Sequence, residues 1–356
     1  MWDKVGTNNW RRPLLLQADN FTPPRRTPWG GRRIVADLKA SEGLVTKGPV
    51  GEAWELSVEP DFPSRLEEGP KLDTLLRSDS ALLGREASLG STALLVKLVD
   101  AAEHLSLQIH PGDDDPALDS NESGKPEAWY IVDADDDAGL YLGFREGVTP
   151  EEVRTAIDER GAVDSLMTFV PVSAGDLFLI EPGTPHAIGA GVFLLEPQRV
   201  APGKRGVTYR YWDWNRTYDA DGQPDPNGAP RELHAARALE VTNWAGPRGA
   251  ALVDRIRYPA GAPARGDSAS LEALCGPTGP LRSKSFVLQR LTGTGHVELP
   301  ADDRLRALTV LDGAVTLLHE QHATRVPRGR TAALPANLGR LSIELDRAHA
   351  MLCTLA

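Results

Sequence analysis

The sequence predicts a mainly β protein made of two β units with a few short helices. Three observations carry that prediction. Glycine and proline, 34 and 28 of 356 residues, make up about 17% of the chain, against an average near ~12%, which fits many short strands joined by turns. Short apolar runs bounded by Gly, Pro or Asp recur from residue 51 to the C-terminus. Helix start signals are few. The length allows two domains at ~100–200 residues each, or one large β-rich unit.

Residues 1–33 are polar, rich in Arg, Pro and Trp, and without a period, so they read as an extended arm that packs through Trp29 before Gly30 and Gly31. In Gly51–Val58, Ala53, Glu55 and Ser57 alternate with Trp54, Leu56 and Val58, which predicts a strand with one consistently apolar face. Leu72 to Leu83 is weakly periodic and predicts a short helix. Ala93–Asp100 is apolar on both faces apart from Lys97, the pattern of a buried central strand. Leu105 to Pro111 follows, then the acidic run 113–115 and strands over Trp129–Asp133 and Gly139–Phe144 around a second acidic run, 135–137. Both acidic runs read as solvated loops.

One helix start is complete. Thr149 caps, Pro150 takes the first helical position and Glu152 closes a capping box. Strands resume at Asp176–Ile180 and, after Pro182-Gly183, run through Ile188 to Leu195; a Gly/Pro/Asp loop (219–230) and a helical stretch from Glu232 to Val241 follow. Residues 246–265 are rich in Gly, Pro and Ala and predict a linker. Beyond it, Phe286–Leu291, Leu305–Leu311, Ala314–His319, Arg325–Val326 and Leu341–Leu345 predict a second all-β unit. The organisation expected is an arm (1–33), a metal-binding catalytic domain (34–245) and a C-terminal β domain without a metal site (246–356).

The net charge of −11 and a pI near 5.3 exclude an electrostatic footprint for nucleic acid. Cys275 and Cys353 are too few for a disulfide framework and point to a reducing compartment, the cytoplasm. No run approaches ~18 apolar residues, and the N-terminus lacks the apolar core of a signal peptide. A monomer without a membrane partner is expected.

The chemistry concentrates in the first unit. Gln108 and His110 stand two apart on a predicted strand and share a face. Glu127 follows in Gly124-Lys-Pro-Glu127, and His186 comes just after the turn at Gly183. A lone histidine on a strand is ordinarily structural; four such groups brought together by hairpins make a cation site. Two imidazoles and two oxygen donors suit one Zn²⁺, with Mn²⁺, Fe²⁺ or Co²⁺ as alternatives.

Gly175, Gly183 and His186 fit the second motif of the cupin barrel, and the surrounding strings resemble type I mannose-6-phosphate isomerases in their compact bacterial form. The strings are Pro13-Leu-Leu-Leu, Trp29-Gly-Gly, Gly51-Glu-Ala-Trp-Glu-Leu-Ser, Leu95-Val-Lys97-Leu, Leu105-Ser-Leu-Gln-Ile-His110-Pro, Gly124-Lys-Pro-Glu127, Gly183-Thr-Pro-His186-Ala-Ile-Gly and Thr208-Tyr-Arg210, covering residues 13–241. The resemblance implies two cupin-like jelly-roll barrels, with zinc ligands at Gln108, His110, Glu127 and His186. It places the family's active-site arginine on Arg210 and the glutamate that follows the metal histidine on Glu196. Lys97, Ser106 and Lys125 match pocket-lining residues, Lys125 with a catalytic share. The connection 197–209 is longer than in the compact enzymes and adds Arg199, Lys204 and Arg205 beside the expected phosphate pocket.

The implied activity is interconversion of mannose 6-phosphate and fructose 6-phosphate, in which a proton moves between adjacent carbons through a metal-stabilised enediolate. Glu196 is the candidate base, with a hydroxide on the cation as its rival. An isomerase of another phosphorylated sugar such as glucose 6-phosphate, a cupin dioxygenase and a non-catalytic sugar-phosphate sensor are the alternatives. The aromatic run Tyr209, Tyr211, Trp212, Trp214 is expected to be strand core rather than a sugar-stacking wall.

Overall fold

The computed structural model describes residues 10–262 and 268–356; the first nine residues of the predicted arm and 263–265 of the predicted linker lie outside the described residues. The mainly β expectation holds. The first half contributes β1 (Glu52–Leu56), β2 (Leu94–Asp100), β3 (Leu107–Ile109), β4 (Glu127–Ala134), β5 (Gly139–Phe144), β6 (Met167–Pro171), β7 (Asp176–Ile180), β8 (His186–Ile188), β9 (Val192–Arg199), β10 (Tyr209–Trp212) and β11 (Arg257–Pro259). They form one sheet ordered β11-β7-β4-β9-β2-β1 and another ordered β10-β3-β8-β5-β6. Alternation turns Trp129, Ile131, Phe178 and Ile180 of the first and Leu140, Leu142 and Ile188 of the second into one shared core.

Helix α1 (Leu72–Ser78) buries Leu72, Leu75 and Leu76, and the chain then tightens into a 3₁₀ turn at Ser80–Leu82. Helix α2 (Pro150–Asp158) starts at the predicted capping box: Thr149 Oγ1 accepts from the Glu152 N–H at 3.2 Å, and the Glu152 carboxylate accepts from the Thr149 N–H at 2.7 Å. With α3 (Ala235–Val241) it covers the outer side of the second sheet, where Val153, Ala238 and Leu239 pack with Leu107, Ile109 and Ala187.

The predicted linker is corrected. Its described part holds α4 (Gly249–Ile256) and β11, and Leu252 and Ile256 join the core of the first half. These two residues stand four apart, a helical spacing that the Gly, Pro and Ala content conceals.

The second half is a single eight-stranded sheet in which β12 (Ser270–Gly276), β13 (Leu281–Arg282), β14 (Phe286–Leu299), β15 (Arg306–His319), β16 (His322–Pro327), β17 (Thr331–Leu334) and β18 (Leu341–Leu355) are joined by Leu14–Leu15 of the arm. The expected runs Leu305–Leu311 and Ala314–His319 fuse into one strand of 14 residues, and the runs from Phe286 and Leu341 extend to 14 and 15 residues. Register shifts at Gly293/Gly295 and around Asp312 interrupt the alternation without ending the ladder. Gly293 has φ 98°, and a Cβ there would lie 2.0 Å from the Ser268 carbonyl oxygen. These bulges bend the sheet around its own apolar core. A further cluster joins the halves, with Val96, Leu98, Ala128 and Tyr130 against Leu274, Phe286, Leu288 and Met351.

Candidate metal centre and active site

Strand alternation aims the candidate ligands inward. Leu107 and Ile109 of β3 pack outward against α3, so Gln108, and His110 two residues on, face the space between the sheets. The register places Arg210, Gln108 and His186 in one cross-strand row, which puts the half-buried Gln108 beside His186 on the same face. From the other sheet, β4 brings Glu127, paired in register with Gln198 and Ile180. His110, Glu127 and His186 are all buried, and their ligand atoms lie within 4.8 Å of one another.

The protonation pattern of this trio fits a cation. His110 Nδ1 is 2.9 Å from the Val207 carbonyl oxygen, and His186 Nδ1 is 2.8 Å from that of Thr184. A carbonyl can only accept, so each Nδ1 carries the proton and each Nε2 presents a lone pair. Burial, then the charge of Lys125, lowers the His110 pKa; burial, then His110, takes His186 down to about 3. Burial opposes the charge on Glu127, yet the ammonium of Lys125 beside it holds its pKa well below the usual carboxylate range. Acceptors therefore face one another, with His110 Nε2 at 3.1 Å from Glu127 Oε1 and His186 Nε2 at 3.8 Å from Oε2. His110 Nε2, His186 Nε2 and Glu127 Oε2 are buried without a hydrogen-bond partner. A cation among them removes that conflict.

A supporting shell fixes the geometry. Gln198 Nε2 donates to Glu127 Oε1 at 2.6 Å, and Lys125 Nζ lies 3.1 Å from the same oxygen, so Oε2 is left for the cation. On the next row Glu196, also buried, stands opposite Lys97 in register. Trp129 Nε1 donates to its Oε1 at 2.9 Å, and Lys97 Nζ lies 3.7 Å from Oε2. Burial, then the charge of Glu127, raises the Glu196 pKa to about 8. Burial opposes the charge on Lys97, but Glu52, Glu196 and Glu127 outweigh it and hold its pKa above the ordinary value. Lys97 Nζ sits 4.5 Å from the Trp54 ring centroid. Ser106 is buried just before β3, two residues from Gln108. Arg210 shares the row of Gln108, and its Nη1 donates to the Glu232 carbonyl at 2.8 Å while Nε is buried without a partner. Burial, then Arg231, lowers its pKa to about 10.

Gln198, Trp129, Trp54 and the carbonyls of Val207 and Thr184 were not among the residues the sequence singled out. Gln198 was within reach, being two residues beyond Glu196 on one strand face; a carbonyl leaves no mark in a sequence. Two expectations are corrected. The acidic run 113–115 is not simply solvated, because Asp113 binds Arg199 at 2.5 Å and Asp115 binds Arg237 at 3.0 Å. The long connection does not offer all its extra cations to a ligand, because Arg199 is tied to Asp113 and Arg205 to Glu122. The aromatic run is core as expected: Tyr211 is fully buried and Trp212 nearly so. Trp214 stacks on His104 with centroids 4.3 Å apart.

No family model matches the chain. It is 33% identical over 242 residues to mannose-6-phosphate isomerase of Streptococcus mutans, an alignment covering 67% of this chain and 70% of that protein. Mannose-6-phosphate isomerase ManA of Bacillus subtilis is 34% identical over 218 residues, 60% of this chain and 64% of that one. The crystal structure of the mannose 6-phosphate isomerase from Bacillus subtilis shares the fold, with a TM-score of 0.74 at 24% identity over 96% of this chain and 99% of the other. Two inward-facing histidines and a glutamate on facing sheets thus occur in a chain with full-length likeness in fold and a long stretch of likeness in sequence, and the chain belongs to the mannose-6-phosphate isomerase family.

Proposed function

We propose that the protein interconverts mannose 6-phosphate and fructose 6-phosphate, with His110, Glu127 and His186, completed by Gln108, holding one Zn²⁺. The observation that carries this reading is the buried set of mutually facing acceptors beside a carboxylate of raised pKa. Bound there, the divalent ion supplies Lewis-acid stabilisation of charge developing on the sugar oxygens.

The remaining work falls to side chains. Glu196 takes the proton from C2 of the open-chain aldose and returns it to C1, while the hydroxyl proton passes from O2 to O1. A base needs a pKa near the working pH, and burial beside Glu127 moves Glu196 in that direction. Trp129 holds one of its oxygens and leaves the other beside Lys97. Arg210 adds fixed positive charge where the enediolate forms. Lys97, Ser106 and Lys125 line the sugar, and Lys125 also steadies Glu127.

Catalysis is confined to residues 34–245, and 246–356 supports them. Among the described residues, His110, Glu127 and His186 form the one group of His, Cys, Asp or Glu side chains fit to hold a cation. Cys275 and Cys353 are free and buried, which supports work in a reducing compartment, the cytoplasm. Among the described residues no helix is long and apolar enough to cross a membrane.

Incubating the zinc-loaded protein with fructose 6-phosphate in D₂O and following the product by NMR tests the reading. Mannose 6-phosphate deuterated at C2 is expected. Glucose 6-phosphate would reassign the substrate, and tight binding without any product would leave a sensor.

A further inference from the structure

Strict alternation along β1 would set Trp54 and Leu56 on one face. The structure separates them. Trp54 packs with Leu95 and Val200, whereas Leu56 joins Ala53, Val96 and Leu98 in the cluster between the halves. One extra residue is the cause. Trp54 pairs with Lys97 and Leu56 with Val96, so Glu55 has no counterpart on β2 and forms a bulge.

The bulge is held by a buried ion pair. Lys39 Nζ lies 2.5 Å from Glu55 Oε1, and Thr331 Oγ1, from the second half, donates to Oε2 at 2.8 Å. Lys39 is 0% exposed and also donates to the Ala18 carbonyl at 2.9 Å. The backbone groups that the bulge takes out of the ladder find partners too. Asn20 Nδ2 donates to the Trp54 carbonyl at 2.9 Å, and Ser64 Oγ lies 3.3 and 3.2 Å from the carbonyl oxygens of Trp54 and Glu55. Ser64 Oγ in turn accepts from the Ser57 N–H at 2.9 Å.

What the bulge aims is the Trp54 ring. Lys97 Nζ sits 4.5 Å from its centroid and 3.7 Å from Glu196 Oε2, so the indole and the carboxylate bracket the ammonium. Trp54 Nε1 donates to Glu52 Oε2 at 2.9 Å, which fixes the ring in its plane. Had Trp54 followed Leu56 to the other face, Lys97 would lose this wall.

We propose that Lys39 and Glu55 are positioning residues for the reaction: their pair pins the bulge that turns Trp54 toward Lys97 and so keeps the ammonium against Glu196. The inference rests on the isomerase reading above. A buried ion pair adds little stability over well-packed apolar residues of the same volume, and its best-attested use is to fix register. Here the register of β1 on β2 decides which side chain walls Lys97.

The double variant Lys39→Met/Glu55→Leu leaves no unpaired buried charge and keeps the fold, which thermal unfolding verifies. In the zinc-loaded variant, kcat/KM for mannose 6-phosphate should fall roughly 10–100-fold, the scale of a small misplacement at a reacting group, with metal content unchanged. Acetic anhydride followed by peptide mass spectrometry should label Lys97 in the variant and spare it in wild type, where it is 6% exposed. Ser64→Ala, which removes the hydroxyl at the Trp54 and Glu55 carbonyls, should change both readouts in the same direction by less, and it decides the matter if the double variant does not fold. An unlabelled Lys97, or an unchanged kcat/KM, in a folded variant overturns the positioning role. Release of Lys97 in the variant, with no conversion of mannose 6-phosphate by wild type, upholds the pinning of Trp54 and overturns the isomerase reading.

Discussion

Between the sheets of the first half lie Lys97, His110, Glu127, His186, Glu196 and Gln198, all buried, whereas the bent sheet of the second half closes on Leu291, Leu308, Val310, Leu317, Leu341 and Ile343. Both interiors are made by alternating strands. Filling with Leu, Ile and Val stabilises each position by roughly 1.5–3 kcal/mol. Each buried polar group left without a partner costs about 1–3 kcal/mol. The first half tolerates that cost because an apolar cluster binds it to the second, with Val96, Leu98 and Ala128 packed on Phe286, Leu288 and Met351. Chemistry and stability are divided between two regions of similar construction.

His186→Ala should break the contrast outright, abolishing both stoichiometric metal content and turnover, as read by elemental analysis and by the isomerase assay. Retained activity would show that the site lies elsewhere. Arg210→Ala should keep the metal and lower kcat about 10²–10³-fold, the scale of one charge-stabilising donor; loss of the metal instead would make Arg210 a structural residue.

Trp129→Phe should sharpen the picture of the base. Glu196 acts as its carboxylate, so kcat/KM should rise with pH through its pKa, which burial and Glu127 raise. The indole N–H donates to that carboxylate and favours the charged form. Removing it should move the acid limb to higher pH, and an unmoved limb would point to a different base. Ile343→Ala lies at the other extreme. It should cost about 2–5 kcal/mol in urea unfolding, with metal content and KM unchanged. A shift in KM would show the halves to be functionally coupled.

Much of this was legible in the strands themselves. The two-residue spacing of Gln108 and His110, the lone Lys97 in an apolar run and the Thr149–Glu152 capping box each stand in the structure as the pattern implied. Composition misled at 246–262, where Gly, Pro and Ala hid the repeat that buries Leu252 and Ile256. A bulge around Asp312 disguised one long strand as two short ones, and the bulge at Gly293 cut another short, because a bulge breaks alternation without ending the hydrogen-bonded ladder. The extra arginines of the long connection looked available because their acidic partners, Asp113 and Glu122, lie more than 80 residues away in sequence.

By itself the sequence determined which side chains share a strand face, since a period of two is a local property of the backbone. That property is enough for the mainly β class and for Gln108 and His110 sharing a face; Glu127 and His186 stood out as metal-ligand types beside turns, and Glu196 came from the family resemblance. Only the tertiary structure decided that Thr184 and Val207 would fix the histidine tautomers and that Gln198 would orient Glu127. It also decided that Glu55 would meet Lys39 and Thr331 at a buried bulge. Those pairings depend on sheet register and loop paths, which are set by packing between segments far apart in the chain.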